Sequence, residues 1–121
     1  MQTKSFKDLI VWQKSFQLVK EIYKLTDNFP KNEIYGLSQQ IRRAAVSIPS
    51  NIAEGKLRGG DIEFKRFLLI AFASGGELET QVEIALRLEY ISEDEYLKIV
   101  AILSEVMKML NSLISKLAAN S

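Results

Sequence analysis

The chain has 121 residues, of which 47% are hydrophobic and 26% charged, and its formal net charge at pH 7 is +1. This length and composition are typical of one folded domain with one hydrophobic core. Because the chain contains neither cysteine nor histidine, disulfides, thiol catalysis, zinc sites of the Cys/His type and Ser-His-Asp triads are excluded.

The first predicted helix covers residues 6–28. Its apolar residues fit a helical stripe, which consists of Phe6, Leu9, Ile10, Phe16, Val19, Ile22 and Tyr23. Val11 and Trp12 lie outside this stripe. Pro30 disfavours a helical conformation at Phe29, so we expect the helix to end near that residue.

The second predicted helix contains a proline within the run IRRAAVSIPSNIAEG, residues 41–55. Its apolar seam keeps the helical period on both sides of that proline and comprises Ile34, Leu37, Ile41, Ala44, Ile48, Ile52 and Gly55. A chain reversal would not preserve this phase, so we predict a helix that is kinked near Pro49 and not ended there. We expect the Ser47 and Ser50 hydroxyls to bond part of the carbonyl groups that Pro49 frees. We expect the helix to end at Gly59 and Gly60.

The third and fourth predicted helices have regular seams. The seam of the third comprises Phe64, Leu68, Ala71, Gly75, Leu78, Val82 and Ala85. Its phase continues through Gly75, which predicts an unbroken helix with close packing at that residue. Ser92 and Glu95 form an S-x-x-E capping box at the start of the fourth helix. The seam of the fourth comprises Tyr96, Val100, Leu103, Met107, Leu110, Ile114 and Leu117.

These elements predict an all-α fold, an up-down-up-down antiparallel four-helix bundle that covers residues 1–121 as a single domain. The short connections make neighbouring helices antiparallel, and no segment has the alternating pattern of a strand.

Basic residues of the second and third helices are candidates for binding nucleic acid, either RNA or DNA. They are Arg42, Arg43, Lys56, Arg58, Lys65 and Arg66. Lys and Arg neutralise phosphates and release counterions. No aromatic platform is interleaved with these cations, because Phe64 belongs to the predicted core, so we expect little sequence specificity.

Residues 1–60 carry a net charge of +5 and residues 61–121 one of −4. This asymmetry indicates either a basic face or two halves that neutralise each other.

The alternative function is that of a protein-interaction scaffold or accessory subunit. The third helix has more apolar residues outside its seam than a bundle needs, namely Phe67, Leu69, Ile70, Phe72, Ile84, Leu86 and Leu88. This excess predicts a homo-oligomer. In this alternative Arg42 or Arg43 pairs with Glu77 or Glu79, within one subunit or between subunits, and holds the structure. One polar face of the second helix is either solvated or a subunit or binding surface, and it comprises Arg43, Ser47, Ser50 and Glu54.

We expect no enzymatic activity and no cofactor. The sequence RGGD, residues 58–61, lacks the Lys-Ser/Thr that completes a phosphate-binding loop. A di-metal site in a bundle needs Glu-x-x-His motifs, and Glu83 with Arg87 fits an ordinary surface pair. The N-terminal stretch has no signal-peptide core, and the longest apolar run, residues 67–73, is too short to span a membrane. We therefore expect a cytoplasmic location without a membrane partner.

Three stretches of the sequence resemble those of one protein family. They are SQQIRRAAVSIPSNIAEG, residues 38–55, FKDLIVWQKSFQLVKEIY before it, and EFKRFLLIAFASGGELETQVEIALRLEYI after it. Over residues 5–117 the chain resembles the S23-type four-helix-bundle proteins encoded in intervening sequences of bacterial 23S ribosomal RNA genes. The chain has SGG where the family pattern has Gly-Ser, a departure that touches packing only. The resemblance implies an up-down bundle that assembles into a homopentamer. It also implies kinship with accessory proteins of diversity-generating retroelements, whose pentamers bind nucleic acid and assist a reverse transcriptase. It implies no settled biochemical activity.

Overall fold

The computed structural model describes residues 5–120, and all of its regular secondary structure is helical. The long helices are α1 (Ile10–Thr26), α2 (Leu37–Leu57), α3 (Asp61–Arg87) and α4 (Glu93–Asn120). Short 3-10 helices at Phe6–Asp8 and Lys31–Glu33 precede α1 and α2. Each long helix packs against the next, and α4 returns to α1, as a four-helix bundle requires. The all-α prediction is confirmed.

The hydrophobic core lies between the four helices. Its largest fully buried aliphatic side chains are Leu18, Ile22, Ile41, Ile48, Ile52, Leu68, Leu78, Val82, Leu103, Val106 and Leu110. Burying each such side chain stabilises the fold by roughly 1.5–3 kcal/mol relative to leaving it in water. The apolar side chains packed between the helices therefore contribute most of the stability of the bundle.

The predicted stripe of α1 is only partly correct, since Ile22 is buried and Leu9 and Val19 pack against the core. Ile10, Phe16 and Tyr23 are exposed, whereas the core face consists of Val11, Ser15, Leu18, Ile22 and Leu25. These five residues are spaced by four and three, so they form one helical face. Ser15 is buried because its hydroxyl donates to the Trp12 carbonyl at 2.8 Å. The predicted stripe contains apolar residues only and therefore leaves out Ser15.

The helix α2 continues through Pro49, as predicted, and Pro49 itself is buried. The Ser47 hydroxyl is 2.8 Å from the Ser74 hydroxyl of α3 and also accepts from the Asn51 side-chain amide at 2.9 Å. Ser47 therefore joins α2 to α3, which differs from its predicted bond to a carbonyl group freed by the proline. Beyond Arg58 the chain turns at Gly59 and Gly60, whose φ angles of 72° and 89° require glycine.

The predicted seam of α3 is buried at every position, and the helix is unbroken through Gly75. A Cβ added to Gly75 would overlap the Met107 Sδ of α4, so this glycine makes room for that side chain. In α4 the predicted capping box is present, since the Ser92 N–H donates to Glu95 Oε1 at 2.8 Å and the Glu95 N–H to Ser92 Oγ at 3.1 Å.

The core face of α4 is wider than its predicted seam. Ile99 and Val106 are buried although the prediction omitted them, and Tyr96, Val100 and Met107 of the seam are only partly buried. A helix that contacts two neighbours presents more than one row of apolar residues to them. Within residues 5–120 no helix is long and apolar enough to cross a bilayer.

Candidate nucleic-acid interface

The six predicted basic residues divide between the two ends of α2. Arg42 and Arg43 lie near its start. Lys56 and Arg58 lie at its end, together with Lys65 and Arg66 in the first turns of α3. At 1.5 Å per residue, Arg43 and Lys56 are about 20 Å apart along the helix. The structure therefore has two basic regions. We call the four cations at the α2–α3 junction the turn surface.

The turn surface is built on two aromatic rings. The guanidinium carbons of Arg58 and Arg66 lie 4.8 and 4.6 Å from the ring centroid of Phe67. The Lys56 Nζ lies 5.4 Å from the ring centroid of Phe64. Cations at these distances are attracted to the ring faces. Both rings are buried beneath the cations, so they support the cation side chains and offer no exposed platform on which a base could stack.

Carboxylates partly neutralise the turn surface. Arg58 Nη2 is 2.8 Å from Glu54 Oε2 and Arg58 Nη1 is 3.6 Å from Glu63 Oε1, while Arg66 Nε is 3.1 Å from Glu63 Oε2. The hydrogen bond with Glu54 raises the pKa of Arg58. These side chains are solvent-accessible, and such surface pairs contribute about 0–1 kcal/mol. A phosphate can replace the carboxylates at little cost.

Two cations of the turn surface, Lys56 and Lys65, have no ion pair with any residue of the range 5–120. Their charges are not neutralised by an adjacent carboxylate. They are the residues of this surface that can contact a phosphate without breaking an ion pair.

The Arg42 side chain contacts residues at the end of α1. Its Nε donates to Thr26 Oγ1 at 2.7 Å and its Nη2 to Asp27 Oδ1 at 2.8 Å, and its guanidinium lies 4.5 Å from the Tyr23 ring centroid. The Arg42 side chain is 31% exposed. Within the protomer its carboxylate partner is Asp27, and not Glu77 or Glu79, while pairing between subunits stays a prediction. Arg42 thus joins α1 to α2.

Arg43 is exposed and lines a cleft between the end of α1, residues 27–36 and the first half of α2. Within residues 5–120 it has no ion pair and no side-chain hydrogen bond. The cleft has a volume of about 790 Å³ and also contains Lys31, Tyr35 and Gln39. These three residues were not predicted, because Lys31 was interpreted only as part of a helix break, and Tyr35 and Gln39 were placed in the second predicted helix, outside its apolar seam. In the structure α2 begins at Leu37, so Tyr35 lies in the connection before it.

Residues 31–36, which form one wall of the cleft, are anchored by Glu33. Its Oε1 accepts from the Leu37 N–H at 3.0 Å and thereby caps α2, and its Oε2 accepts from the Tyr90 hydroxyl at 2.7 Å. Both hydrogen bonds lower the pKa of Glu33, and the bond to Glu33 raises the pKa of Tyr90. A Cβ on Gly36 would lie 2.6 Å from Glu33 Oε1. Glycine at this position therefore keeps the cap in place.

The acidic residues form no candidate metal centre. Within the described part of the chain no group of three or more Asp, Glu, His or Cys side chains is placed to hold a metal ion. Glu83 pairs with Arg87 at 3.0 Å, as predicted, and accepts from the Tyr96 hydroxyl at 2.7 Å. These contacts lower the pKa of Glu83.

Part of the apolar excess that the sequence predicted for the third helix is exposed on the outward side of α3. Leu69, Ile70, Ile84 and Leu88 are exposed. The remaining members of the predicted excess pack inwards, since Phe67 is buried and Phe72 and Leu86 pack against the core. We call the four exposed residues the α3 face.

Fold and surface together define a four-helix-bundle protein with two basic regions. The model of the 23S rRNA-intervening sequence protein family matches residues 7–112, and the chain belongs to this family. Among solved structures it is similar to a protein of unknown function from the S23 ribosomal protein family of Bacteroides thetaiotaomicron. That similarity has a TM-score of 0.81 and 30% sequence identity, and covers 87% of this chain and 98% of the other. No curated protein matches this chain.

The predicted family is thus confirmed. Neither comparison indicates an enzyme family. Kinship with the accessory proteins of diversity-generating retroelements stays a prediction.

Proposed function

We propose that this protein is a non-enzymatic homo-oligomer that binds the phosphates of RNA or DNA through its exposed cations. The observation that supports this most directly is the turn surface, where three of the four cations, Lys56, Arg58 and Arg66, lie over the rings of Phe64 and Phe67. Two of the four have no carboxylate partner within residues 5–120, and the pairs made by the others are weak enough for phosphate to replace them. Arg43 extends the cationic surface to the other end of α2.

One turn surface binds weakly by itself, because Glu54, Asp61 and Glu63 lie close to it in the sequence or in space. Repetition in an oligomer overcomes this limit. Binding several copies to one strand makes each later contact intramolecular, which raises the overall affinity by roughly 10²–10⁴-fold. Oligomerisation is therefore part of the proposal.

The test is a double charge reversal, Lys56→Glu with Arg58→Glu. The matched control is Lys20→Glu with Lys108→Glu, which makes the same change in net charge at exposed lysines of α1 and α4. We expect the first pair to weaken RNA binding much more than the second, with the oligomer mass unchanged in both. Equal weakening would show that net charge alone governs binding. Loss of assembly in the first pair only would assign Lys56 and Arg58 to the structure.

Glu54 and Glu63 lie beside Arg58, so the reversal places like charges together. A milder pair, Lys56→Gln with Arg58→Gln, removes the cations without adding carboxylates. It should still weaken binding while keeping the helical circular dichroism of the parent protein.

The second candidate function is a scaffold or accessory subunit, and the α3 face favours it. Apolar side chains exposed together on a protein surface mark a contact with another protein. The α3 face has two such pairs, Leu69 with Ile70 and Ile84 with Leu88. The partner that the oligomer proposal requires is a second copy of this chain. The homopentamer and a reverse transcriptase partner both stay predictions, because they come from the family resemblance.

The assembly is tested by light scattering on Ile84→Glu, with Leu97→Glu as its matched control. Both side chains are exposed, to 41% and 56%, but Leu97 lies on α4. We expect the parent and the control to show a multiple of the 13.7 kDa protomer mass, five times that mass for a pentamer, and Ile84→Glu to show a smaller species. A monomeric parent protein would contradict the oligomer proposal.

A further inference from the structure

The cleft beside Arg43 has the size of a small-ligand site. Its volume is about 790 Å³. Pockets that hold small ligands typically enclose about 300–1,000 Å³. Three separate segments form its walls, namely the end of α1, the connection between α1 and α2, and the first half of α2.

The walls of the cleft are fixed by bonds that do not involve the cleft cations Arg43 and Lys31. Arg42 holds α2 to Thr26 and Asp27 of α1. Glu33 holds the connection to the start of α2 and to Tyr90, which lies between α3 and α4. A ligand would therefore enter a formed site and would not have to order these segments, which lowers the cost of binding.

The charges in the cleft favour an anion. Arg43 and Lys31 are exposed and have no ion pair with any residue of the range 5–120, whereas Asp27 is already paired with Arg42. A guanidinium and an ammonium that share a concave surface are the groups that recognise phosphate.

Tyr35 adds an aromatic surface to this anion site. Its side chain is 89% exposed, more than any other large hydrophobic residue of the described chain, and it lines the same cleft. Nucleotides combine a phosphate with a flat ring that stacks on aromatic side chains. In a duplex both faces of each base are covered by its neighbours, so only an unpaired base can stack on Tyr35.

From this juxtaposition we infer that the cleft binds one unpaired nucleotide of a nucleic-acid strand, with the base on Tyr35 and the adjoining phosphate at Arg43 and Lys31. The inference rests on the proposed function and adds a preference for single strands. The turn surface contacts phosphates in either a single strand or a duplex.

The test compares a fluorescein-labelled 15-nucleotide single-stranded RNA with a duplex of the same length, by fluorescence anisotropy. The variant is Tyr35→Leu, with Tyr35→Phe to restore a ring and Phe16→Leu as the matched loss of an exposed ring outside the cleft. Stacking of one base on an aromatic side chain is worth roughly tenfold in affinity. We expect Tyr35→Leu to weaken binding of the single strand by that factor and to leave duplex binding unchanged. Tyr35→Phe and Phe16→Leu should bind like the parent protein.

The outcomes separate this inference from the proposed function. If the parent protein binds neither RNA, the proposed function fails and the cleft inference with it. If both RNAs bind and Tyr35→Leu has no effect, only the cleft inference is overturned. Free uridine monophosphate is the competitor that distinguishes a strand site from a mononucleotide site. We expect it to compete only at a large excess over the strand, and equal competition would contradict the assignment to a strand.

Discussion

Gly55 holds α2 close to α3, directly beneath the turn surface. A Cβ at this position would lie 2.7 Å from Phe67 Cβ, 3.2 Å from Phe64 Cδ1 and 3.3 Å from the Phe64 carbonyl oxygen. Because Phe67 Cβ is fixed to the backbone, rotation of a side chain cannot relieve the contact, and the helices must separate. Overpacking of this kind costs about 1–3 kcal/mol. Alanine recovers about 1 kcal/mol through its higher helix propensity.

We therefore expect Gly55→Ala to lower the free energy of unfolding by up to about 2 kcal/mol. Gly76→Ala is the matched control, since its added Cβ meets no atom within 4 Å beyond the neighbouring backbone of its own helix. The control should raise the free energy of unfolding by roughly 0.5–1 kcal/mol. The assay is urea unfolding followed by circular dichroism, at one protomer concentration and after the oligomer mass has been checked. If the two variants agree within about 0.5 kcal/mol, the close approach of α2 and α3 at Gly55 is refuted.

Arg42→Met should lower the free energy of unfolding by about 1–2 kcal/mol, because it removes a hydrogen bond to a buried threonine and a cation–π contact. Arg43→Met should change it by less than about 0.5 kcal/mol, and equal losses in urea unfolding would contradict the structural role of Arg42. Glu33→Ala removes the carboxylate that accepts from the Leu37 N–H at the start of α2 and should lower the free energy of unfolding at pH 7. Hydrogen bonds from Leu37 and Tyr90 lower the pKa of Glu33, so its contribution is present above the ordinary value of about 4.3 and is lost as the pH falls through the lower folded-state pKa. The stability of this variant should therefore fall less steeply than that of the parent between about pH 5 and pH 3, and identical pH profiles would count against the cap.

The sequence predicted burial best where the apolar residues repeat with the helical period. Every predicted seam residue of α3 is buried, and α2 continues through Pro49 as its phase required. The interpretation of α1 was only partly correct, since its stripe left out Ser15, which is polar by type but buried, with its hydroxyl bonded to the preceding turn. Periodicity alone cannot reveal that a serine satisfies its own polar group.

The candidate site was less predictable, because it depends on contacts between distant residues. Arg42 and Arg43 are neighbours in sequence, yet one is bonded to α1 and the other is exposed. A shift of one residue turns a helical side chain by about 100°, so adjacent arginines point to different surroundings. The aromatic ring beneath Arg58 and the exposed ring of Tyr35 likewise emerge only when the helices are assembled.

The central claim is that this bundle binds nucleic acid through phosphate contacts. It is tested most directly by measuring the affinity of the parent protein for single-stranded RNA by fluorescence anisotropy at several salt concentrations. We expect the logarithm of the association constant to fall linearly with the logarithm of salt concentration, by about 0.7 for each phosphate contacted. No binding at low salt, or an affinity that does not change with salt, would contradict the claim.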